Sequence, residues 1–246
     1  MRTFAIVIPA YNEAATIREV AERALKQCAL TIVVDDGSSD DTAATLAGLP
    51  VTLLRNATNQ GKAAALWRGA ETVLAQGVDA IVTLDGDGQH APEDIPRLLS
   101  AAAEAGPDTI VIGARLADST SIPRSRYIAN RIAAFWISWA SGQFLDDSQS
   151  GFRVYPARLF RELVIPHARA RGFVFESEIL IEASRHGYRC ITVPIAAIYP
   201  PARRASHFRP VLDIVRITRM VAWKIFSRGF YPQGFYRAFL RKRPTA

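Results

Sequence analysis

Three short segments of this chain carry the side chains best suited to chemistry. The densest is Asp85-Gly86-Asp87-Gly88-Gln89-His90. In an extended or turn segment, residues i and i+2 aim their side chains the same way, so Asp85 and Asp87 bring two carboxylates together. Such a pair repels itself unless a cation sits beside it. Mg²⁺ suits the arrangement: it takes one or two carboxylates and completes its shell with water and substrate phosphates. Gln89, two residues on, adds a neutral oxygen. The other segments are Pro9-Ala10-Tyr11-Asn12-Glu13 and Asp35-Asp36-Gly37-Ser38. One acidic residue in such a place is ordinarily a helix N-cap, the plain reading of Asp40 and Asp94. Three polar segments that each follow an apolar run make a crevice instead.

Two phosphate-binding patterns are mimicked here, and neither holds. Gly86-x-Gly88-x-x-Ala91 has the spacing of the dinucleotide fingerprint. That device works by bare backbone N–H groups approaching a pyrophosphate, which two interleaved carboxylates would repel. Asn59-Gln60-Gly61-Lys62 looks like the end of a P-loop, but Ala63 stands where Ser or Thr is required and the first glycine is missing. Lys62 is either a phosphate contact or an exposed lysine at a helix start.

The elements that must position these groups are short and regular. Apolar runs at 4–8, 30–34, 51–54, 80–84 and 109–112, rich in Ile and Val, read as buried strands. Helical patterns at 13–27, 40–48, 61–76 and 93–105 separate them. This alternation predicts an α/β fold with a mostly parallel sheet and helices on both faces. Ligands then bind beyond the carboxyl ends of the strands, where the three segments lie. Further on, 125–143 and 175–187 read as helices and 152–155 and 188–195 as strands. A Pro-rich loop at 199–201 precedes Arg203 and Arg204, and a last helix covers 208–228. On that helix Val215, Val221, Ala222, Ile225 and Phe226 share one face with Phe208, Val211 and Ile214. Arg209, Asp213, Arg216 and Lys224 take the other, with Ile217 and Met220 among them.

Taken in order, the segments IVIPAYNEA (6–14), VVDDGSSDDT (33–42), NQGKAAA (59–65), LDGDGQHAPED (84–94) and Asp147-Ser148-Gln149-Ser150-Gly151-Phe152-Arg153 resemble family 2 glycosyltransferases of the GT-A (Rossmann-like) fold. The likeness is to the dolichyl- and polyprenyl-phosphate mannose or glucose synthases, and it covers about residues 4–198. The resemblance implies a metal-dependent, inverting hexosyl transfer from a UDP- or GDP-linked sugar to a membrane lipid, with a polyprenyl phosphate as the expected acceptor. It implies that Pro9, Tyr11 and Glu13 line the nucleotide pocket and that Val34 and Asp36 contact the base. Asp85, Gly86 and Asp87 match the DxD element. Asp87 and Gln89, with Asp85 beside them, would hold Mg²⁺ or Mn²⁺. Arg115 matches an arginine near the sugar-phosphate, and Asp147 matches the acid before the Ser-Gly-Phe-Arg element. An ionised lipid phosphate needs no general base, whereas a hydroxyl acceptor would need one, and Asp147 is then the candidate. An ion pair between Asp147 and Arg153, or a cap, is its alternative role. The chain departs from the relatives at the loop after the last core strand. There Pro201 and His207 stand at the expected Arg and Lys positions, and Arg203 and Arg204 are taken to supply the charge from a shifted register.

Charge divides the chain in two. Of 30 Lys and Arg, eleven lie in 201–246 against the single acid Asp213, so this segment carries +10 and the first 200 residues −3. We therefore expect a catalytic domain over 1–200 and a basic amphipathic membrane-association segment over 201–246. The expected partner is an anionic membrane surface, with peripheral attachment at the inner, cytoplasmic face. The segment has no nucleic-acid module, so no nucleic-acid partner is expected. Cys28 and Cys190 have no ligand spacing and indicate a reducing compartment. A hydrophobic content of 49% excludes disorder. The longest uncharged stretch, 132–145, is too short for a spanning helix, which needs about twenty residues. The rival from another class is a non-catalytic membrane adaptor of the same fold, which would have no need of the acidic set at 85–89.

Overall fold

The computed structural model describes residues 3–115, 124–163, 165, 174–196, 198 and 210–240. Arg203, Arg204 and the loop at 199–201 lie outside them. The first half builds as the apolar alternation demands: β1 (Phe4–Ala10), α1 (Ile17–Leu25), β2 (Thr31–Asp35), α2 (Thr42–Thr45), β3 (Thr52–Arg55), α3 (Lys62–Leu74), β4 (Ala80–Thr83), α4 (Ile95–Ala105) and β5 (Thr109–Ala114). There follow α5 (Arg124–Ser141), β6 (Arg153–Pro156), α6 (Leu159–Glu162), α7 (Val174–Arg185), β7 (Arg189–Pro194), α8 (Pro210–Phe226) and α9 (Pro232–Phe235), with a π-helical turn at Tyr236–Leu240.

The seven described strands form one sheet in the order β3-β2-β1-β4-β6-β5-β7. Its two faces are both covered, because alternate residues of β1 point opposite ways. Ala5 and Val7 pack under α3 and the later helices, while Ile6 and Ile8 pack under α1 and α4. The sheet is parallel except for β6, which runs antiparallel between β4 and β5. That reversal matters for function. Pairing Thr83 with Arg153 brings the start of β6, and the 147–152 loop before it, to the carboxyl end of β4.

Two expectations are corrected. The strand expected to be buried at 51–54 is β3, an edge strand with three of its four residues exposed. Among the described residues only β2 pairs with it, which leaves its outer side without a strand to bury against. On α8, the inward face carries Met220, Val221, Lys224 and Ile225, with Ile217 half-buried, while Val215 and Phe226 are exposed. Lys224, expected on the solvent side, is buried in an ion cluster. Its ammonium lies 3.0 Å from Glu178 and also binds Glu182, while Arg185 reaches Glu182 at 2.8 Å. The helix thus docks on α7 by charge as well as by apolar area. Phe208, Val211 and Ile214 lie outside the side chains described.

Candidate active site

The site begins where β1 and β2 end in register, Ala10 beside Asp35. The two ends are sewn together. The Asn12 and Glu13 N–H groups donate to the Ser38 and Thr42 hydroxyls at 2.8 and 2.7 Å, and Asn12 Oδ1 accepts from the N–H groups of Ser39 and Asp40. Asn12 adopts a left-handed φ of 56°, a conformation Asn tolerates, to make this corner. Pro9 and Val34 are buried beneath it, and Tyr11 and Glu13 stay partly open. Beside the corner, Gly37, Ser38, Arg55, Asn56 and Ala57 line a cleft of about 330 Å³.

Asp36 points elsewhere. It is buried, and its carboxylate accepts from Asn56 Nδ2 (2.7 Å), Gln60 N (3.0 Å) and Gly61 N (2.7 Å). In this structure it holds the loop that opens α3 and so sets where Lys62 emerges. The Lys62 ammonium then lies 2.6 Å from Asp85 Oδ1 and 2.9 Å from Glu176 Oε1. Gly151 faces this contact closely. A methyl group there would sit 2.7 Å from both Asp85 oxygens and 2.8 Å from Lys62 Nζ.

Burial alone would raise the Asp85 pKa, but the ammonium of Lys62, helped by His90 and Arg115, reverses that and holds it at about 2. Asp87 goes the other way: burial and the charge of Asp85 raise it above the ordinary carboxylate range. Its Oδ1 accepts the Gln89 N–H at 3.0 Å. His90 is buried against the Phe152 ring, and among the described residues neither ring nitrogen has a hydrogen-bond partner. Burial lowers its pKa to about 4.

Asp147 sits across the site, fully buried. Oδ2 accepts from Arg115 N and Nε, both at 3.2 Å, and Oδ1 from Gln149 N (3.0 Å) and Ser150 N (3.1 Å). Burial opposes the charge on Arg115, yet Asp147 first, and Asp85 and Asp87 after it, raise its pKa. Asp147 therefore pairs with Arg115, and Arg153 has other work. Arg153 is fully buried and donates to Ser150 O (2.7 Å), Ser148 O (2.9 Å), Glu176 O (3.0 Å) and Tyr155 Oη (3.0 Å). It ties the 147–151 loop to the first turn of α7.

Asp85, Asp87, Gln89, Arg115 and Asp147 thus meet at one end of the sheet, with Lys62 among them. Sequence reasoning missed Glu176 and the bracing role of Arg153. A signal was available for the first: residues 174–183 hold three glutamates in an otherwise largely apolar helix, and all ten residues are buried. Among the described residues, no three acidic, His or Cys side chains converge as a ready metal cage.

The glycosyl transferase family 2 model matches residues 5–166, which includes the strand ends and the 147–153 loop just described. The chain belongs to glycosyl transferase family 2. This family 2 transferase is 30% identical to the undecaprenyl-phosphate mannosyltransferase of Micrococcus luteus, over 78% of this chain and 82% of that one. It is 28% identical to the polyprenol monophosphomannose synthase of Mycolicibacterium smegmatis, over 77% and 75%. Its fold matches the crystal structure of glucosyl-3-phosphoglycerate synthase from Mycobacterium tuberculosis with Mn²⁺, UDP and glucosyl-3-phosphoglycerate, at TM-score 0.62 and 22% identity over 92% and 80% of the two chains. The architecture is the GT-A fold with a C-terminal helical segment. No described helix is long and apolar enough to cross a membrane.

Proposed function

We infer that this transferase moves a sugar from a UDP- or GDP-linked donor to a lipid phosphate of the polyprenyl class, inverting the anomeric carbon. The observation that carries the acceptor is the state of Asp147. A general base needs a free lone pair within reach of the acceptor proton. Asp147 is fully buried and its two oxygens accept four hydrogen bonds. Asp85 and Glu176 are both held by Lys62. With Asp147 so engaged, the site suits a nucleophile that arrives ionised, and a phosphate monoester with a second pKa near 6 does so. The names of the polyprenyl-phosphate relatives support the same class.

The charge balance supports a divalent ion. Around Asp85 stand Asp87, Asp147 and Glu176 against Lys62 and Arg115, four negative charges and two positive. The excess of two would repel a donor diphosphate unless a cation offsets it. Asp87 and Gln89, with Asp85 alongside, would hold Mg²⁺ or Mn²⁺, and such an ion would supply positive charge to a departing diphosphate. Arg115, aimed by Asp147, is placed to bind phosphate oxygens as they gain charge. Pro9, Tyr11, Glu13, Val34 and the cleft beside Gly37 form the nucleoside end. Arg203 and Arg204 remain proposed phosphate contacts. In this reading the protein works peripherally at the inner, cytoplasmic face of an anionic membrane.

The test is transfer to a polyprenyl phosphate against the matching polyprenol, with Mg²⁺ or Mn²⁺, using the native protein and Asp147→Asn. We expect the phosphate, and not the alcohol, to be the acceptor of the native protein, and the variant to lose rate only as far as Arg115 loses its aim, with an unchanged pH profile. Efficient use of the alcohol, with a loss of about 10²–10⁴ in the variant, would sink the reading.

A further inference from the structure

We propose that α5 and residues 215–240 together form a docking face for an anionic lipid bilayer, with α5 supplying apolar insertion that the basic tail cannot. The inference rests on the lipid-acceptor reading only for its orientation. Along α5, Ile128, Ile132, Phe135 and Trp136 recur at helical spacing on one side, and all four are exposed, Ile132 at 56%. With Arg131 they line an open groove of about 410 Å³. The C-terminal segment does not hang free beside this stripe. Phe239 stacks on Phe135 at 5.0 Å, and Phe235 meets Trp139 at 5.3 Å. The Trp139 indole N–H is 3.1 Å from both the Phe230 and Tyr231 carbonyls. Gly234 lies so close to Tyr231 that a Cβ would come within 2.1 Å of its ring. The same C-terminal stretch, from the end of α8 onward, exposes Trp223 (68%), Phe226, Phe230, Tyr236 and Leu240.

Large apolar side chains exposed in such number on adjoining elements mark an interaction surface. Its charges select the occupant. Neither 124–141 nor 214–240 contains an acidic residue, while Arg131, Arg216, Arg219, Arg228 and Arg237 are exposed there. Aromatic and aliphatic groups ringed by arginine match the headgroup region of an anionic leaflet, where rings bury and cations meet phosphate. The face also borders the site. Arg131 lies 3.8 Å from Asp146, the neighbour of Asp147, so α5 adjoins the loop that carries Asp147.

The experiment is co-sedimentation of the full chain with vesicles of phosphatidylcholine alone or mixed with phosphatidylglycerol, with no donor or acceptor present. Ile132→Glu/Trp136→Glu, changed at exposed positions, should weaken partition onto the mixed vesicles at least about tenfold. Trp223→Glu/Phe226→Glu should do likewise, both variants keeping the native circular dichroism spectrum. In a Trp67→Phe background, brominated lipid should quench the remaining tryptophan fluorescence. Native-like partition of both variants would overturn the proposal. So would a dimer without vesicles that the same variants dissolve, because a second copy would then own the face. Vesicle binding without sugar transfer to a lipid phosphate would leave this surface standing and remove only the acceptor reading.

Discussion

Lys62 Nζ lies 2.6 Å from Asp85 Oδ1, so the first carboxylate of the acidic pair is neutralised by the chain itself. The second, Asp87, has no such ammonium and is the carboxylate we propose for the divalent ion. One consequence concerns stability. Removing one partner of a fully buried ion pair costs about 3–5 kcal/mol. Lys62 and Asp85 keep 26% and 24% of their side-chain surface, so we expect about 2 kcal/mol for Lys62→Met, with Asp85 and Glu176 left facing each other. Urea unfolding at pH 7 measures it, and adding Asp85→Asn to the variant should recover part of the loss. Gly151→Ala should disturb the same contact by crowding, lowering activity more than stability.

Asp87→Ala should cut turnover by about three orders of magnitude or more while leaving the unfolding free energy from urea titration within about 0.5 kcal/mol of native, if its carboxylate serves a ligand and not the core. Gln89→Ala should be milder, because water replaces a neutral oxygen. Steady-state rates across a Mn²⁺ titration separate the two. Near-native turnover of the Asp87 variant would remove it from the chemistry.

His90 makes stability depend on pH. Its pKa falls from the ordinary 6.5 to about 4 because burial disfavours the imidazolium. Between these values the unfolded chain binds a proton that the folded chain refuses, so stability declines as pH drops from 6.5 to 4. The whole effect is on the order of 3 kcal/mol and is absent above about pH 7. Urea midpoints at pH 7.5, 6 and 5 should show it, and His90→Asn should flatten the profile. An unchanged slope in the variant would assign the dependence to other groups.

Arg153→Lys should destabilise by about 3 kcal/mol or more, although the charge is kept. An ammonium cannot reach the four oxygens that the guanidinium fork serves, and buried acceptors left unpaired cost about 1–3 kcal/mol each. Because these contacts brace the 147–151 loop and the first turn of α7, KM for the donor should rise as well. Thermal unfolding and donor kinetics report the two effects separately.

Much of this was legible before any coordinates. Ile- and Val-rich runs separated by helical periods require strands buried between helices, and such strands must be mostly parallel. Polar residues that follow those runs then fall at the carboxyl ends of the strands, which is why Asp36, Asp85, Asp87 and Gln89 could be placed there. The i, i+2 spacing of Asp85 and Asp87 is a local property, and local geometry survives folding.

What only the tertiary structure decided depends on which distant segments meet. Nothing local distinguishes an antiparallel β6 from a parallel one, yet its direction delivers Gly151 and Asp147 to Asp85. Glu176 joins Lys62 across 114 positions because Arg153 anchors α7 to the loop before β6. Asp36 turns to the backbone N–H groups that open α3, since a buried carboxylate binds the nearest unpaired donors. Lys224 reads as a solvent-facing residue on a helical wheel, but Glu178 and Glu182 give it a buried partner pair that a wheel does not contain. Periodicity describes one element at a time, whereas burial of charge is settled between elements, by whichever opposite charges the packing brings within a few ångströms.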